Sequence, residues 1–220
     1  MGSQLIQILV LAGVALFLVL RLRDVLGTRD GFERTTRTPP VREAPDRRGF
    51  EVIEGGGSDP DIADHVDPDS EAGKALAEMK KLEPSFSVTE FADGARKAYE
   101  LILMAYENGD LETLEQFLAP DVYESFSQAV FARADKQLTV EATFVGIREL
   151  KIVGAEFHED TGEGDVSIRY VGELTSVVKD SEGEVVEGDP NEIKRQRDIW
   201  TFSRKMGVDD PNWRLVATGE

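Results

Sequence analysis

Few residues of this sequence could act as a general acid or base near neutral pH. The chain contains two histidines and no cysteine, which excludes thiol catalysis, disulfides and cysteine-ligated metal centres. His158 follows Phe157 and precedes Glu159 and Asp160, a pattern typical of an exposed turn. Neither His158 nor His65 lies in a catalytic motif, so we predict that the protein is not an enzyme. A pocket enzyme of the isomerase or dehydratase type is the most distant functional alternative.

Acidic residues cluster around His65 and invite comparison with a metal site. They are Asp59, Asp61, Asp64, Asp67 and Asp69. The stretch lacks the glycine turn and the ligand spacing of a calcium-binding loop, and acid runs of this kind are usually solvated. We therefore predict no metal site and no cofactor.

Aromatic residues are better candidates for a binding site. Both tryptophans lie near the carboxyl end, in DIWTFSRKMGVDDPNWRLVATGE. Alternate residues of a strand share a face, which places Trp200 with Phe202 and Trp213 with Leu215, as in a core. The alternative is an apolar pocket for a lipid tail or for a hydrophobic segment of a partner. Its predicted lining is Tyr99, Tyr106, Phe144, Trp200, Phe202 and Trp213.

The charge of the chain is distributed unevenly. The net charge is −18, yet between Arg21 and Arg48 eight arginines outnumber five acids, so this stretch carries +3 and the remainder −21. An acidic excess of this size repels the phosphate backbone of nucleic acids. We therefore predict no nucleic-acid partner.

Apolar residues fill the stretch Leu5–Leu20, LIQILVLAGVALFLVL. As a helix it would be about 24 Å long, and extension to Leu22, with the charged ends of Arg21 and Arg23 reaching back to the interface, closes most of the gap to the ~30 Å hydrocarbon core of a bilayer. No basic residue precedes it and arginines follow it, which favours a membrane helix over a cleaved signal peptide. We predict a single-pass anchor over residues 1–26, with membrane contacts at Leu5, Leu20, Arg21 and Arg23. The positive-inside rule places the rest on the cytoplasmic side, or on the matrix side in a mitochondrion.

A spacer and a short helix are predicted to follow the anchor. Residues 27–69 are rich in proline, glycine and charge, which predicts a disordered tether. Residues 70–83 form an amphipathic pattern that predicts a lead-in helix. That helix either packs on its own domain or binds a partner or the membrane surface, with Lys74, Lys80 and Lys81 as the lipid contacts.

The folded domain is predicted over residues 84–220. Ser87 and Glu90 form a capping-box pattern that opens a helix from Val88 to Asn108, and two shorter helices follow. After Lys136 the hydrophobic period changes to two, which predicts five strands: 138–147, 149–159, 166–178, 195–205 and 213–218. Helices followed by a run of antiparallel strands indicate an α+β fold.

Two stretches of the domain resemble a known family. They are FADGARKAYELILMAYENGDLETLEQFL and the pattern GDP…DIWTFSR…DPNWRLVAT between Gly188 and Thr218. Together they resemble the C-terminal domain family of the mitochondrial inner-membrane translocase subunit forty-four, and the similarity covers about Glu83–Glu220. The LRDVLGTRDG that follows the apolar segment resembles the bacterial single-anchor members of that family.

This resemblance implies a fold, a function and a location. The implied fold is a nuclear-transport-factor-two-like cone, with helices packed in a curved antiparallel sheet. The implied function is a membrane-anchored adaptor or scaffold for protein transport, chaperone recruitment or envelope assembly, with translocation or chaperone machinery as the partner. The implied location is the bacterial inner membrane, or alternatively the matrix side of the mitochondrial inner membrane. A module that binds a lipid or a small apolar ligand is the second functional alternative.

Overall fold

The computed structural model describes residues 59–219, in which five helices precede five strands. The helices are α1 (Pro60–Ala63), α2 (Glu71–Leu82), α3 (Val88–Asn108), α4 (Leu111–Phe117) and α5 (Pro120–Asp135). The strands are β1 (Thr139–His158), β2 (Glu163–Lys179), β3 (Val185–Gly188), β4 (Lys194–Lys205) and β5 (Arg214–Gly219). The predicted anchor, residues 1–26, and the spacer up to Ser58 lie outside the described residues. Among residues 59–219, no helix combines the length and apolar character that crossing a bilayer requires.

Polar side chains cap several of the helices, and the cap predicted at Ser87 is among them. The Ser87 hydroxyl accepts a hydrogen bond from the amide of Glu90, and Gly109 ends α3 with a left-handed φ of 70°. Ser70 and Asp110 cap α2 and α4 in the same way. Because the first amides of a helix lack partners within it, such caps set its starting residue. The predicted start and end of the long helix α3 are confirmed.

The strands form one antiparallel sheet in the order β1-β2-β4-β5, and β3 pairs with the far end of β2. The two strands predicted at 138–147 and 149–159 are in fact the single strand β1. Its register against β2 shifts at three places, beginning after Phe144, Ile147 and Ile152. Each irregularity adds an unpaired residue and bends the strand, which interrupts the alternation without ending the pairing.

One face of the sheet packs against the helices and forms the core. Along β2, Val166, Ile168 and Tyr170 are buried. Tyr99 of α3 lies close above the sheet at Gly172, where an added Cβ would come within 2.5 Å of the tyrosine hydroxyl. Glycine is therefore required at position 172 for this approach. The α+β architecture is as predicted, whereas the cone-like curvature implied by the resemblance stays a prediction.

Candidate functional site

The six aromatic residues predicted to line one pocket do not share a cavity. Five of them divide into two groups at different places along α3, and the sixth, Tyr106, lies apart from both beside a recess that Trp200 also lines. The inner cluster consists of Tyr99, Phe144, Tyr170 and Trp200. The second group lines a groove near the first turns of α3 and includes Phe202 and Trp213. The prediction of a single pocket is therefore wrong.

Residues of the inner cluster are in direct contact with one another. The Tyr99 ring stacks on Tyr170 with centroids 4.3 Å apart, and Trp200 lies 4.7 Å from Tyr99. Phe144 completes the cluster with its ring at 6.3 Å from Tyr99. Trp200 is only 3% exposed and both tyrosines are fully buried. Trp200 is therefore a core residue.

A partly buried hydrogen bond joins the inner cluster to Asp198 of β4. The Tyr99 hydroxyl donates to the Asp198 carboxylate at 2.6 Å, and the Gln196 amide donates to the same side chain at 3.0 Å. Burial raises the pKa of Tyr99, and the Asp198 charge raises it further. Tyr99 therefore stays a neutral donor at physiological pH.

Tyr106 lies near the other end of α3, beside a second recess of about 380 Å³. Its ring contacts Phe126 at 5.0 Å, and the Arg133 guanidinium lies 4.5 Å above it. Arg133 also lies 3.7 Å from Glu107. Burial raises the pKa of Glu107, although the charges of Arg133 and Lys194 oppose that shift. Glu107, Gln196 and Asp198 are among the polar residues that line this recess, and Trp200 also lines it.

The groove lies between the first turns of α3, the end of β4 and the turn at residues 210–213, and it encloses about 360 Å³. Its walls are Phe86, Phe91, Phe117 and Trp213. The ring of Trp213 lies 4.5 Å from Phe91 and 5.8 Å from Phe86. Trp213 is half-buried, so its ring is in contact with both the core and the groove.

Small residues on α3 leave the space that the aromatic walls surround. Gly94, Ala95 and Ala98 line the groove from the helix side. An added Cβ at Gly94 would have no heavy atom within 4 Å. The groove therefore exists because three positions along one helix face carry almost no side-chain volume.

Arg204 is the polar residue at the base of the groove, and its side chain is 6% exposed. One guanidinium nitrogen donates to Glu83 at 2.8 Å, and the other donates to the Asp210 carbonyl at 3.3 Å. The guanidinium also lies 5.2 Å from the Trp213 ring. Among residues 59–219, no atom accepts a hydrogen bond from Nε. Arg204 thus retains one unused donor.

Glu83 neutralises Arg204 from the loop that precedes α3. Its second oxygen accepts from the Gly207 amide at 2.9 Å. Burial by itself would raise the pKa of Glu83, but the bonds from Arg204 and Gly207 outweigh it and lower that pKa. The groove is therefore built on a buried pair with no net charge.

Sequence reasoning missed Phe86 and Glu83, although a signal for Phe86 was present. Phe86 immediately precedes the N-cap Ser87, and Phe91 is the fourth residue of the helix. Apolar residues at these two positions form a hydrophobic staple. The rings contact each other at 6.4 Å in an edge arrangement. No local signal marked Glu83, because its partner Arg204 is distant in sequence.

The prediction of a disordered spacer is wrong for residues 59–69, which are ordered and hold the rim of the groove. The Asp61 carboxylate accepts from the amides of Val88 and Thr89 at 2.8 and 3.0 Å, and from the Ser87 hydroxyl at 3.1 Å. Lys80 donates to the same carboxylate at 2.8 Å. An acid is favourable here because the first turn of a helix carries free amides and partial positive charge.

This capping interaction holds the pKa of Asp61 well below its usual range. Burial by itself would raise that pKa, but the hydrogen bond from Lys80 and those from Thr89 and Val88 outweigh it. Asp61 is therefore charged at physiological pH. Its predicted role as a solvated tail residue is wrong.

The three lysines predicted to contact lipid differ in their surroundings. Lys80 forms ion pairs with Asp59 at 2.7 Å and Asp61 at 2.8 Å, and its side chain is mostly buried. Lys74 is exposed. Lys81 is 69% exposed, and within residues 59–219 its ion pair is with Glu78 on its own helix. Lys80 is therefore a structural residue, and lipid contact by Lys74 and Lys81 stays a prediction.

Neither histidine is among the residues that line the groove. His158 ends β1 with its side chain 48% exposed, and its Nε2 lies 3.5 Å from an Asp165 oxygen. His65 shares a hydrogen bond of 3.0 Å with the Thr89 hydroxyl. Within the described part of the chain, no group of three or more His, Asp or Glu side chains is placed to hold a metal ion.

Comparison with known proteins gives consistent matches over the folded part. Residues 72–220 match the family described as Tim44-like domain. The mitochondrial import inner membrane translocase subunit TIM44 of Homo sapiens is 24% identical over 151 residues, which is 67% of this chain and 33% of that protein. The subunit TIM44-1 of Arabidopsis thaliana is 23% identical over 154 residues, covering 67% and 32%. The chain thus spans about a third of the length of these curated relatives.

Among solved structures, the intermembrane space region of the chloroplast protein ARC6 is similar at 11% identity. The match covers 56% of this chain and 94% of that one, with a TM-score of 0.37. This score is too low to indicate a shared fold.

Proposed function

The chain belongs to the Tim44-like domain family, and on that premise we propose that it is an adaptor that holds a protein partner beside a membrane. The observation that carries the proposal is the family match, which covers nearly all of the described fold. The curated relatives are named as subunits of a mitochondrial import translocase, which supports a role in protein transport. Chaperone recruitment and envelope assembly are the related roles within the same proposal.

The proposed organisation has three parts. Residues 1–26 anchor the chain, a tether follows, and the folded domain includes the residues from Asp59 onward rather than starting at residue 84. We place the domain on the cytoplasmic side of a bacterial inner membrane, with the matrix side of the mitochondrial inner membrane as the alternative. The arginines between Arg21 and Arg48 support this orientation.

The groove supports a second candidate function, the binding of a lipid or a small apolar ligand. Aromatic walls around about 360 Å³ are within the range of small-molecule sites. This candidate predicts that an apolar molecule co-purifies with the full-length protein. Native mass spectrometry of the protein, followed by organic extraction, would identify it.

In-cell crosslinking with mass spectrometry tests the adaptor function. The full-length chain should give reproducible protein crosslinks in the membrane fraction, and a form lacking residues 1–26 should lose most of them. A control in which Leu5–Leu20 is replaced by an unrelated membrane helix should restore the crosslinks, because the anchor only concentrates the domain at the bilayer. Absence of any reproducible protein partner, or full-length protein found wholly in the soluble fraction, would reject the proposal.

A further inference from the structure

The groove combines an apolar lining with one unused hydrogen-bond donor. Phe86, Phe91 and Trp213 provide aromatic surface, and Gly94 leaves the helix side open. A cavity of about 360 Å³ can take a large apolar side chain together with part of a backbone. Phe86 and Phe91 are buried and Trp213 is half-buried. Aromatic residues enclosed in this way are common anchor points where proteins bind protein partners.

Arg204 indicates which polar group the occupant carries. Its Nε is buried, and no acceptor for it is present among the described residues. A buried donor without an acceptor costs free energy, so an occupant that supplies an acceptor recovers it. Because Nε is buried, an incoming acceptor reaches it only after a wall residue shifts. Trp213, half-buried with its ring 5.2 Å from the guanidinium, is the residue to which the inference assigns that shift.

The charge of the lining selects against an anionic occupant. Arg204 is the single cation among the described lining residues, and Glu83 already neutralises it. Glu90, an exposed acid, also borders the groove. A carboxylate or phosphate headgroup would therefore meet a neutral pair and an extra negative charge, whereas a main-chain carbonyl supplies an acceptor without charge.

We propose that the groove binds an uncharged or basic peptide segment of a protein partner. One large apolar side chain of the segment inserts between Phe91 and Trp213, and a neighbouring main-chain carbonyl accepts a hydrogen bond from Arg204. The inference rests on the adaptor function proposed above and names the surface and the chemistry of its partner.

The test uses the absence of cysteine in the natural chain. The variant Gly94→Cys places one thiol in the groove, and Glu100→Cys places one on an exposed part of the same helix. Full-length protein in phosphatidylcholine nanodiscs is used to select dodecapeptides from a random display library. The binding of a selected peptide is then measured before and after each variant is labelled with a bulky maleimide, so that the unlabelled protein is its own folding control.

We expect selected peptides to carry a large apolar residue with neutral or basic neighbours. Labelling of Gly94→Cys should weaken their binding at least tenfold, and labelling of Glu100→Cys should change it less than twofold. Arg204→Lys keeps a cation for Glu83 but lacks the Nε donor, so it should weaken binding about fivefold. The bound peptide should also slow the labelling of Gly94→Cys.

Three results would overturn the inference. One is peptide binding that labelling of Gly94→Cys leaves unchanged. Another is selection of acidic peptides, since the charge argument excludes them. The third is protection of Gly94→Cys by oleate or by vesicles with anionic lipid when peptides give none, which would assign the groove to lipid.

The outcome for the adaptor function is separate. If full-length protein crosslinks to a partner in cells and Gly94→Cys labelling has no effect on peptide binding, the adaptor function stands and this inference fails. If peptides bind the groove but no protein partner is found at the membrane, the peptide site stands and the adaptor function fails.

Discussion

Two aromatic regions lie along the same helix, each contains one of the two tryptophans, and they differ in what covers them. In the inner cluster, Trp200 packs against Tyr99 and Tyr170 and is closed off from solvent. At the groove, Trp213 packs against Phe86 and Phe91 but keeps part of its ring exposed. Residue type alone therefore does not separate a core from a binding surface.

The cause of the difference is the side-chain volume on α3. Opposite Trp200 the helix presents Tyr99, which fills the space down to the sheet. Beside Trp213 the same helix presents Gly94 and Ala98, which leave the space empty. The sheet residues that face the helix differ as well. Gly172 has no side chain and leaves room for Tyr99, whereas Phe202 and Arg204 lie at the groove.

The largest expected loss of stability comes from Trp200→Ala. Because the side chain is only 3% exposed and packs against both tyrosines, its truncation should lower the free energy of unfolding by about 3–5 kcal/mol. Urea denaturation followed by far-UV circular dichroism measures this. A cost no greater than that of Trp213→Ala would show that the inner cluster is not the closed core described above.

Asp61→Ala should cause the next largest loss of stability. The local loosening should be confined to the end of α3 that borders the groove. Loss of charge-assisted bonds to Lys80 and to the first amides of α3 should cost about 1.5–3 kcal/mol. Hydrogen exchange should accelerate at Val88 and Thr89 but not at Tyr99. Asp64→Ala, on an exposed neighbour, is the matched control and should be nearly neutral.

The same variant gives a pH test with a definite sign. The pKa of Asp61 is lower in the folded chain than in the unfolded chain, where it is about 3.9. Its stabilising contribution is therefore complete above that value and is lost as the pH falls toward the folded pKa. The stability difference between wild type and Asp61→Ala should be constant near neutrality and shrink below about pH 4. A difference that grows in acid would contradict the capping role.

Trp213→Ala should cost less than half as much as Trp200→Ala, about 1–2 kcal/mol, because part of its ring is already exposed. Fluorescence provides a second measurement. Acrylamide should quench the wild-type emission partly, and this quenchable part should disappear in Trp213→Ala. Equal quenching in both proteins would mean that Trp213 is as enclosed as Trp200.

Gly94→Ala should have the smallest effect and the opposite sign. The added methyl group meets open space and favours the helix, so stability should rise by about 0.5–1 kcal/mol. Gly172→Ala is the contrasting variant in the inner cluster, where the methyl group would collide with the Tyr99 hydroxyl and destabilise the fold. Thermal unfolding of the two variants measures the direction of each stability change. A destabilised Gly94→Ala would show that the groove is narrower than described.

Much of the fold was predictable because its signals are local. The cap at Ser87, the stop at Gly109 and the change of period after Lys136 predict α3 and the following strands. The predictions failed where a distant residue decides the outcome. Asp61 looked like a tail residue because the free amides it caps belong to another helix, and β1 looked like two strands because its bulges interrupt the alternation while pairing with β2 continues.

The amino-acid sequence by itself determined the α+β class, the limits of the long helix α3, the acidic charge and the family, since each depends on neighbouring residues or on totals over the chain. Only the tertiary structure decided which tryptophan is core and which borders the groove, and that Arg204 pairs with Glu83 beside an unfilled space. The physical reason is that burial and ion pairing depend on what lies opposite a side chain across the fold, and the gap of more than a hundred residues between Glu83 and Arg204 leaves no local trace.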